Sequence, residues 1–591
     1  MVWVGTSWDI DMVAQSASGP YQKVRSRLWF EVLKAALRGM AGAALLAACL
    51  AMTPALAQPS PSAGQTSAEG NPSIDRDRLD RRDPLLPRQA PVTPPAPQAA
   101  VIDARVVSST PVTLKRVRFK GSTLDPQRLA HAARTFAGAP LTRETLQKLA
   151  NAITAVYAES DVAFYAVSIP AQTMGEGVVT VQVTEGRVAR YSLTKQTRST
   201  PTHLIDAQMQ PLLADKPAHK PRLERTLSLL RDIPGQTVKA DLRRTAELDE
   251  LELALNVERK QVEVTLNVNN RGVVNVTSGI QAQLGIAFNG LLREGDSTRL
   301  SGSVPFQPSR YQFYSGSHTT PLGASGTTLS FTGAYVRTRT REPEVRGEAK
   351  QFGIVVAHPL IRSYSRNLSV TASLDGTNSE NYFLDTAFGG FQTRTLRLGA
   401  SWSVVKPSGG YAVSTTVSQG LDALSARPSI GYSEAAFRKA NLQLIAIKQI
   451  TKKVGLKAGL RGQFTQDNLP STERMALGGE GAGLAFRYGV LTADKAASAD
   501  VELSWRLLGR EDSGRALTAF AYADGATGRS FARPVYGIPG TSFSLASAGG
   551  GVRVTPLRGW SATAQLAVPV KSPGQAFGRK PRFFFSVTRS I

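Results

Sequence analysis

At 591 residues the chain is too long for a single compact domain, and its formal net charge of +25 sits on a sequence in which only 19% of residues are charged. Lys and Arg are scattered singly rather than in blocks, and no recognition motif accompanies them, so the charge does not indicate nucleic-acid binding. The one cysteine, Cys49, lies near the N-terminus. A chain cut after it has no thiol, which excludes a disulfide framework, a cysteine-ligated zinc site and a cysteine nucleophile.

Lys34 and Arg38 precede an apolar run from Met40 to Met52, which is shorter than the roughly 20 residues a bilayer-spanning helix needs. Ala55-Leu56-Ala57 then supplies a small-x-small cleavage site. Residues 1–57 are therefore expected to be a secretory signal peptide, with Gln58 as the mature N-terminus. Leu46-Ala47-Ala48-Cys49 offers an alternative, lipoprotein processing with Cys49 acylated. Residues 58–111 are rich in Pro, Ala, Gln and Ser and read as a linker, with material for one short helix over Ile74–Asp83.

From Val112 the texture changes. Leu114–Phe119 is expected as a strand, followed by a helix capped by Asp125 and a second helix from Thr142 carrying Leu146, Leu149, Ile153, Val156 and Tyr157 at helical spacing. Phe164–Ile169 and Val178–Val183 read as strands. The same order then recurs: a strand at Val188–Leu193, helices at Pro201–Leu213 and Pro221–Leu230, and strands at Thr237–Leu242 and Leu251–Val257. Two units of one plan, 112–188 and 189–259, suggest a structural repeat.

Beyond residue 260 the pattern becomes two-residue alternation. Val262, Val264, Leu266 and Val268 share a strand face. So do Leu396, Leu398, Ala400, Trp402 and Val404, opposite Arg397, Ser401 and Ser403. Val454–Leu460, Val501–Leu507, Trp560–Val568 and Phe583–Ile591 repeat it. A soluble sandwich would hide such a face against a second sheet, whereas a membrane barrel turns it to lipid. Length without helix-period segments, unpaired basic residues at strand centres and a strand at the C-terminus favour the barrel. At about 20 residues per strand and connection, residues 260–591 hold about sixteen antiparallel transmembrane strands.

Several strings resemble the outer-membrane transporters of two-partner secretion, the haemolysin secretion and activation family. Ile169-Pro170-Ala171-Gln172 followed by Gly177 to Thr184, Glu185 and Gly186 is similar to one family signature. Leu223 to Leu230, Arg231, Asp232, Ile233, Pro234 and Gly235 is similar to another, and Val268-Asn269-Asn270-Arg271-Gly272 to the entry into the barrel. The resemblance covers Val112 to Ile591. It implies two periplasmic α+β POTRA domains, with signature positions Pro170, Gln172, Glu185, Gly186, Asp232, Pro234 and Gly235, ahead of a transmembrane antiparallel β-barrel. It also implies that these domains recognise an unfolded secreted partner, for which β-augmentation at a sheet edge is a physical route.

In the family a loop folds back into the lumen and carries an arginine that meets an aromatic-x-Asp motif. Here Gly478 and Gly479 precede Arg487-Tyr488-Gly489, and Tyr522-Ala523-Asp524 is the matching wall motif. The resemblance thus implies a charge pair between Arg487 and Asp524, although Arg487 stands further from the double glycine than the family pattern has it. The five histidines show no metal-ligand spacing, and no nucleophile elbow, phosphate loop or zinc helix motif occurs. The expected protein is a monomeric transporter in the outer membrane of a Gram-negative cell. It needs no metal or cofactor, contacts lipid, and exports a cognate exoprotein such as a haemolysin or adhesin. An outer-membrane assembly factor and a passive porin are the alternatives.

Overall fold

A computed structural model describes residues 101–102 and 112–591, apart from 174–175, 198, 273–275, 277–278, 342–343, 384–385, 511–514, 575–576 and 579. The expected signal segment, the alternative site at Cys49 and the helix expected over Ile74–Asp83 lie outside the described residues.

The first α+β unit contains β1 (Val101–Ile102), β2 (Arg116–Lys120), α1 (Pro126–Arg134), α2 (Arg143–Ala158), β3 (Tyr165–Ile169) and β4 (Val178–Glu185). Its sheet runs β1-β3-β4-β2. Both helices begin where the sequence supplies an oxygen. The Asp125 side chain accepts the Gln127 amide at 2.9 Å, and Thr142 accepts that of Thr145 at 3.1 Å. Each such cap contributes about 1 kcal/mol. Leu146, Leu149, Ile153 and Tyr157 then face Val167, Ile169, Val179, Val181 and Val183 in one core. β1 is a departure from the linker expected over residues 58–111. Val101 and Ile102, a pair of β-branched residues after the proline-rich run, pair in parallel with Ser168 and Ile169.

The second unit follows with β5 (Arg187–Lys195), α3 (Thr202–Leu213), α4 (Lys220–Asp232), β6 (Gln236–Arg244) and β7 (Glu250–Arg259), in the sheet order β5-β7-β6. Ile205, Met209, Leu212, Leu227 and Leu230 pack on Leu253, Leu255 and Val257. The two units share backbone: Ala163 donates to the Ala218 carbonyl at 2.7 Å, and Ala218 donates to that of Gly186 at 3.0 Å.

Of the remaining strands, sixteen close on themselves. They are β8 (Val262–Asn269), β9 (Gln281–Asn289), β10 (Ser297–Pro305), β11 (Tyr311–Pro321), β12 (Thr328–Arg339), β13 (Val345–Arg362), β14 (Arg366–Phe383), β15 (Thr386–Lys406), β16 (Gly409–Gly420), β17 (Arg438–Gln449) and β18 (Val454–Thr465), then, after a short hairpin of β19 (Met475–Leu477) and β20 (Leu491–Ala493), β21 (Lys495–Arg510), β22 (Arg515–Ser530), β23 (Thr541–Thr555), β24 (Trp560–Lys571) and β25 (Arg582–Ser590). All neighbours in the ring are antiparallel. β25 returns to β8 from Ser586↔Asn269 to Ser590↔Thr265, and Asn267 braces this seam through Ser586 Oγ at 2.9 Å and Thr588 Oγ1 at 2.7 Å. Closure satisfies the strand amides and carbonyls internally, which a lipid surround demands.

The alternation sorts as a barrel requires. Leu266, Leu300, Phe331, Leu398, Trp505, Leu566 and Phe583 are exposed on the outside, while Ser301, Ser315, Thr332 and Arg397 turn inwards to line one cavity. One expectation fails. Basic residues on the inner face are not all unpaired: Arg397, at the middle of β15, meets Asp375 at 2.8 Å, and Arg553, near the end of β23, meets Glu502 at 3.3 Å. Alternation shows which face a residue is on but not which distant carboxylate the closed ring brings opposite it.

The second α+β unit docks on the turns at one end of the barrel. Arg362, at the end of β13, reaches Asp232 at 2.6 Å. Arg225 donates to the carbonyls of Ser325, Pro359 and Leu360 at 3.0–3.2 Å. His203 approaches Glu294 at 3.1 Å. Tyr364, in the turn after β13, packs against the core of this unit, and burial pushes its phenol well above the usual range. The long loops 421–437 and 531–540 lie at the other end, from which the segment 466–494 also starts.

Candidate functional site: a loop folded into the barrel

The loop between β18 and β21 lies inside the ring. Phe486 and Leu484 join a buried cluster with Leu545 of β23, Ala567 of β24 and Phe584 of β25. Ala476 and Tyr488 join another with Tyr311 of β11, Val336 of β12 and Ala349 of β13. One loop can touch inward residues of both walls only by crossing the lumen between them. Its sequence explains the compact path. Gly478 sits at φ +93°, where side chains are rarely tolerated, and a Cβ there would stand 2.3 Å from the Arg487 carbonyl. Gly479 likewise sits against Tyr488. Gly483, at φ +104°, lets the backbone come against Leu545.

Two buried carboxylates hold the roots of this loop. Glu473, on the entering side, is 0% exposed and meets Arg397 of β15 at 2.8 Å and Lys439 of β17 at 2.9 Å. Asp494, on the leaving side, is also 0% exposed. Its two oxygens take Arg533 Nη2 at 2.7 Å and Nη1 at 2.8 Å, plus the amides of Leu469 and Phe531. Arg474 stands 3.9 Å away and donates to Thr492 O, Ser530 Oγ and Tyr432 Oη. Buried ions are retained only when paired and hydrogen-bonded, as all of these are.

Arg487, Tyr522 and Asp524 all line one cavity of about 340 Å³ together with Arg271, Arg461, Glu480 and Arg582. The structure thus brings the sequence-expected residues to one place without pairing the charges. No ion pair joins Arg487 to Asp524 among the described residues. Asp524 instead accepts the backbone amides of Gly483 at 2.9 Å and Leu484 at 2.8 Å, and the Ser547 hydroxyl. The wall aspartate therefore grips the loop by its main chain, while Arg487 sits beside Arg582 in the cavity. The extra residues between the double glycine and Arg487 account for this, because the tight turn at Gly483 rather than Arg487 faces Asp524. At the cavity Arg271 pairs with Glu480, which ties the loop to the residues after β8.

The α+β signature residues hold the units together. Gln172 receives the Thr180 amide at 2.7 Å and donates back to its carbonyl at 2.8 Å, stitching the turn after Pro170 to β4. Glu185 accepts from Tyr157 at 2.6 Å and from Thr123, and burial together with this carboxylate raises the Tyr157 phenol. Gly186 donates to Phe164 O at the junction of the units. Asp232 docks the second unit on Arg362, and Pro234-Gly235 turns α4 into β6. Glu473, Asp494, Arg474 and Arg533 were not singled out by sequence. A signal existed, since Glu473-Arg474 and Asp494-Lys495 are charged pairs bracketing the mostly uncharged loop that contains Gly478 and Gly479.

Residues 251–554 match the family described as haemolysin secretion/activation protein ShlB/FhaC/HecB. The chain belongs to this family. Residues 112–186 match the ShlB-type POTRA domain. The heme/hemopexin transporter protein HuxB of Haemophilus influenzae strain 86-028NP is 20% identical over 382 residues, which span 62% of this chain and 67% of HuxB. CdiB from Escherichia coli superposes with a TM-score of 0.71 at 18% identity, covering 91% of this chain and 100% of that one. CdiB from Acinetobacter baumannii gives 0.60 at 16%, covering 88% and 98%. At such identities the structural likeness is one of fold. As a member of the haemolysin secretion/activation family the chain is an outer-membrane secretion transporter, with its POTRA end in the periplasm and the long loops on the outside.

Proposed function

We propose that the chain exports one large cognate exoprotein, a haemolysin or adhesin among the candidates, by passing it unfolded from the POTRA units through the barrel. The observation that carries this reading is the loop across the lumen. A passive solute pore has no need of a built plug held by buried ion pairs, and none of two folded units docked on its inner rim. An unfolded chain needs both a receptor before the pore and an obstruction that yields to it.

The receptor role falls to the sheet edges. Among the described residues β2 pairs only with β4, which leaves its outer edge open there, and Arg116, Arg118 and Lys120 stand exposed along it. An extended segment could add there as a further strand, with main-chain bonds for affinity and the cations favouring acidic side chains. The chain would act alone, as a monomer with no cofactor. Deleting residues 112–186 is expected to abolish appearance of the exoprotein in the medium while the barrel still inserts and migrates differently on gels after heating. Unchanged secretion from that deletion would refute the receptor role.

A further inference from the structure

Two loops at the outer end are stapled to each other. Tyr432 and Tyr536 meet edge to face with ring centroids 5.7 Å apart, and Tyr536 Oη donates to Ile430 O at 3.0 Å. Gly431 lies against Val535. The same pair continues inwards. Arg533, 2% exposed, places its guanidinium 5.0 Å from the Tyr432 ring centroid and donates from Nε to Tyr432 O at 3.3 Å, while its two terminal nitrogens take both oxygens of Asp494. Nη1 also donates to Phe531 O and Nη2 to Leu469 O. One side chain thus joins loop 421–437, loop 531–540, the leaving root of the lumen loop and, through Leu469, the start of its entering side.

The two roots differ in what holds them. Glu473 is gripped by Arg397 and Lys439, which stand on wall strands β15 and β17. The Asp494 backbone is held by Gln463 of β18 and Arg529 of β22, but its carboxylate is gripped by Arg533, which stands on a loop whose tip, Val535 and Tyr536, is open to solvent. A strand in a closed ring cannot shift alone, but a surface loop can.

We propose that Arg533 is the positioning residue that holds the lumen loop in place, and that the loop segment ahead of Asp494 loosens when the outer loop pair parts and the Arg533 grip on the Asp494 carboxylate is lost. The Glu473 root then serves as the fixed hinge side. The parallel planar fork of Arg533 suits this task, because displacement of its loop breaks both bonds to Asp494 together. Arg474 is a second cation near Asp494, but at 3.9 Å it makes no hydrogen bond to the carboxylate, and its Nη2 is committed to Thr492 and Ser530. The consequence for export rests on the function proposed above, whereas the coupling itself does not.

The test uses the full-length protein in cells carrying Ala482→Cys, a fully buried position on the lumen loop, and reads the rate of labelling by an impermeant thiol reagent from outside. Arg533→Ala is expected to raise that rate at least about tenfold, because one partner of a buried pair is lost. Arg533→Lys should fall between, keeping charge without the fork. Tyr536→Ala does not touch Asp494, yet should also raise labelling, by about threefold or more, because it releases the outer staple. Heat-modifiable migration checks that each barrel is folded. Labelling at the parent rate in folded Arg533→Ala overturns the positioning role, and labelling at the parent rate in Tyr536→Ala overturns the coupling to the outer loops. Increased labelling with export of the exoprotein untouched leaves the coupling standing and counts against the proposed function instead.

Discussion

Replacing Glu473 with alanine is expected to loosen the lumen loop and to cut export sharply, with the barrel still assembled. The carboxylate is wholly buried between Arg397 and Lys439, and Asp375 balances only one of those cations. Removing it leaves Lys439 with the Glu473 backbone carbonyl at 2.8 Å as a neutral acceptor. Breaking a buried pair from one side costs about 3–5 kcal/mol, and a partly wet lumen favours the lower end. Even about 3 kcal/mol moves the balance between seated and unseated loop by about two powers of ten. Glu473→Gln keeps the shape and loses the charge, so its effect should be smaller. Limited proteolysis of intact cells measures this directly, with cleavage inside residues 466–494 rising in Glu473→Ala. Equal resistance in variant and parent would show that the entering root is held by packing alone.

The second large effect is expected at Asp524, and it separates this chain from its family's pattern. Asp524→Ala leaves the amides of Gly483 and Leu484 without their acceptor in a buried site, at about 1–3 kcal/mol for each group. Arg487→Ala removes a cation that is not bonded to Asp524 and that stands near Arg582, so its cost to loop seating should be the smaller of the two. The two changes should then add, with a coupling below about 0.5 kcal/mol in a double-mutant cycle read from protease protection. A charge pair would give the opposite result, a double variant little worse than either single one. That outcome would mean Arg487 reaches Asp524 in a state other than the one described.

Much of the fold was legible because its signals are local. Asp125 and Thr142 mark helix starts by their own chemistry, and Leu146, Leu149 and Ile153 mark the buried face by spacing. In the barrel, alternation around Leu398 or Leu566 assigns each residue to lipid or lumen before any partner strand is known. The lumen site was legible only in part, because its chemistry joins residues far apart in sequence. Asp524 could be placed on the inner wall by alternation, but the backbone amides it grips depend on the turn at Gly483, which a spacing rule tied to Arg487 misses. The Arg533–Asp494 and Arg397–Glu473 pairs form only when the ring closes and the loop enters it. The strand at Val101–Ile102 was hidden for another reason, since two residues inside a proline-rich stretch carry no period.

The central claim is that an unfolded exoprotein travels through this lumen past the displaced loop. Photo-reactive residues placed at the inward positions Ser301 and Thr332, and at their outward neighbours Leu300 and Phe331, test it in cells exporting an exoprotein stalled by a folded C-terminal fusion. Cross-links to the exoprotein at Ser301 and Thr332, with none at Leu300 and Phe331, are the predicted result. Stalled exoprotein that cross-links to neither inward position, while secretion of the unstalled form proceeds, would contradict it.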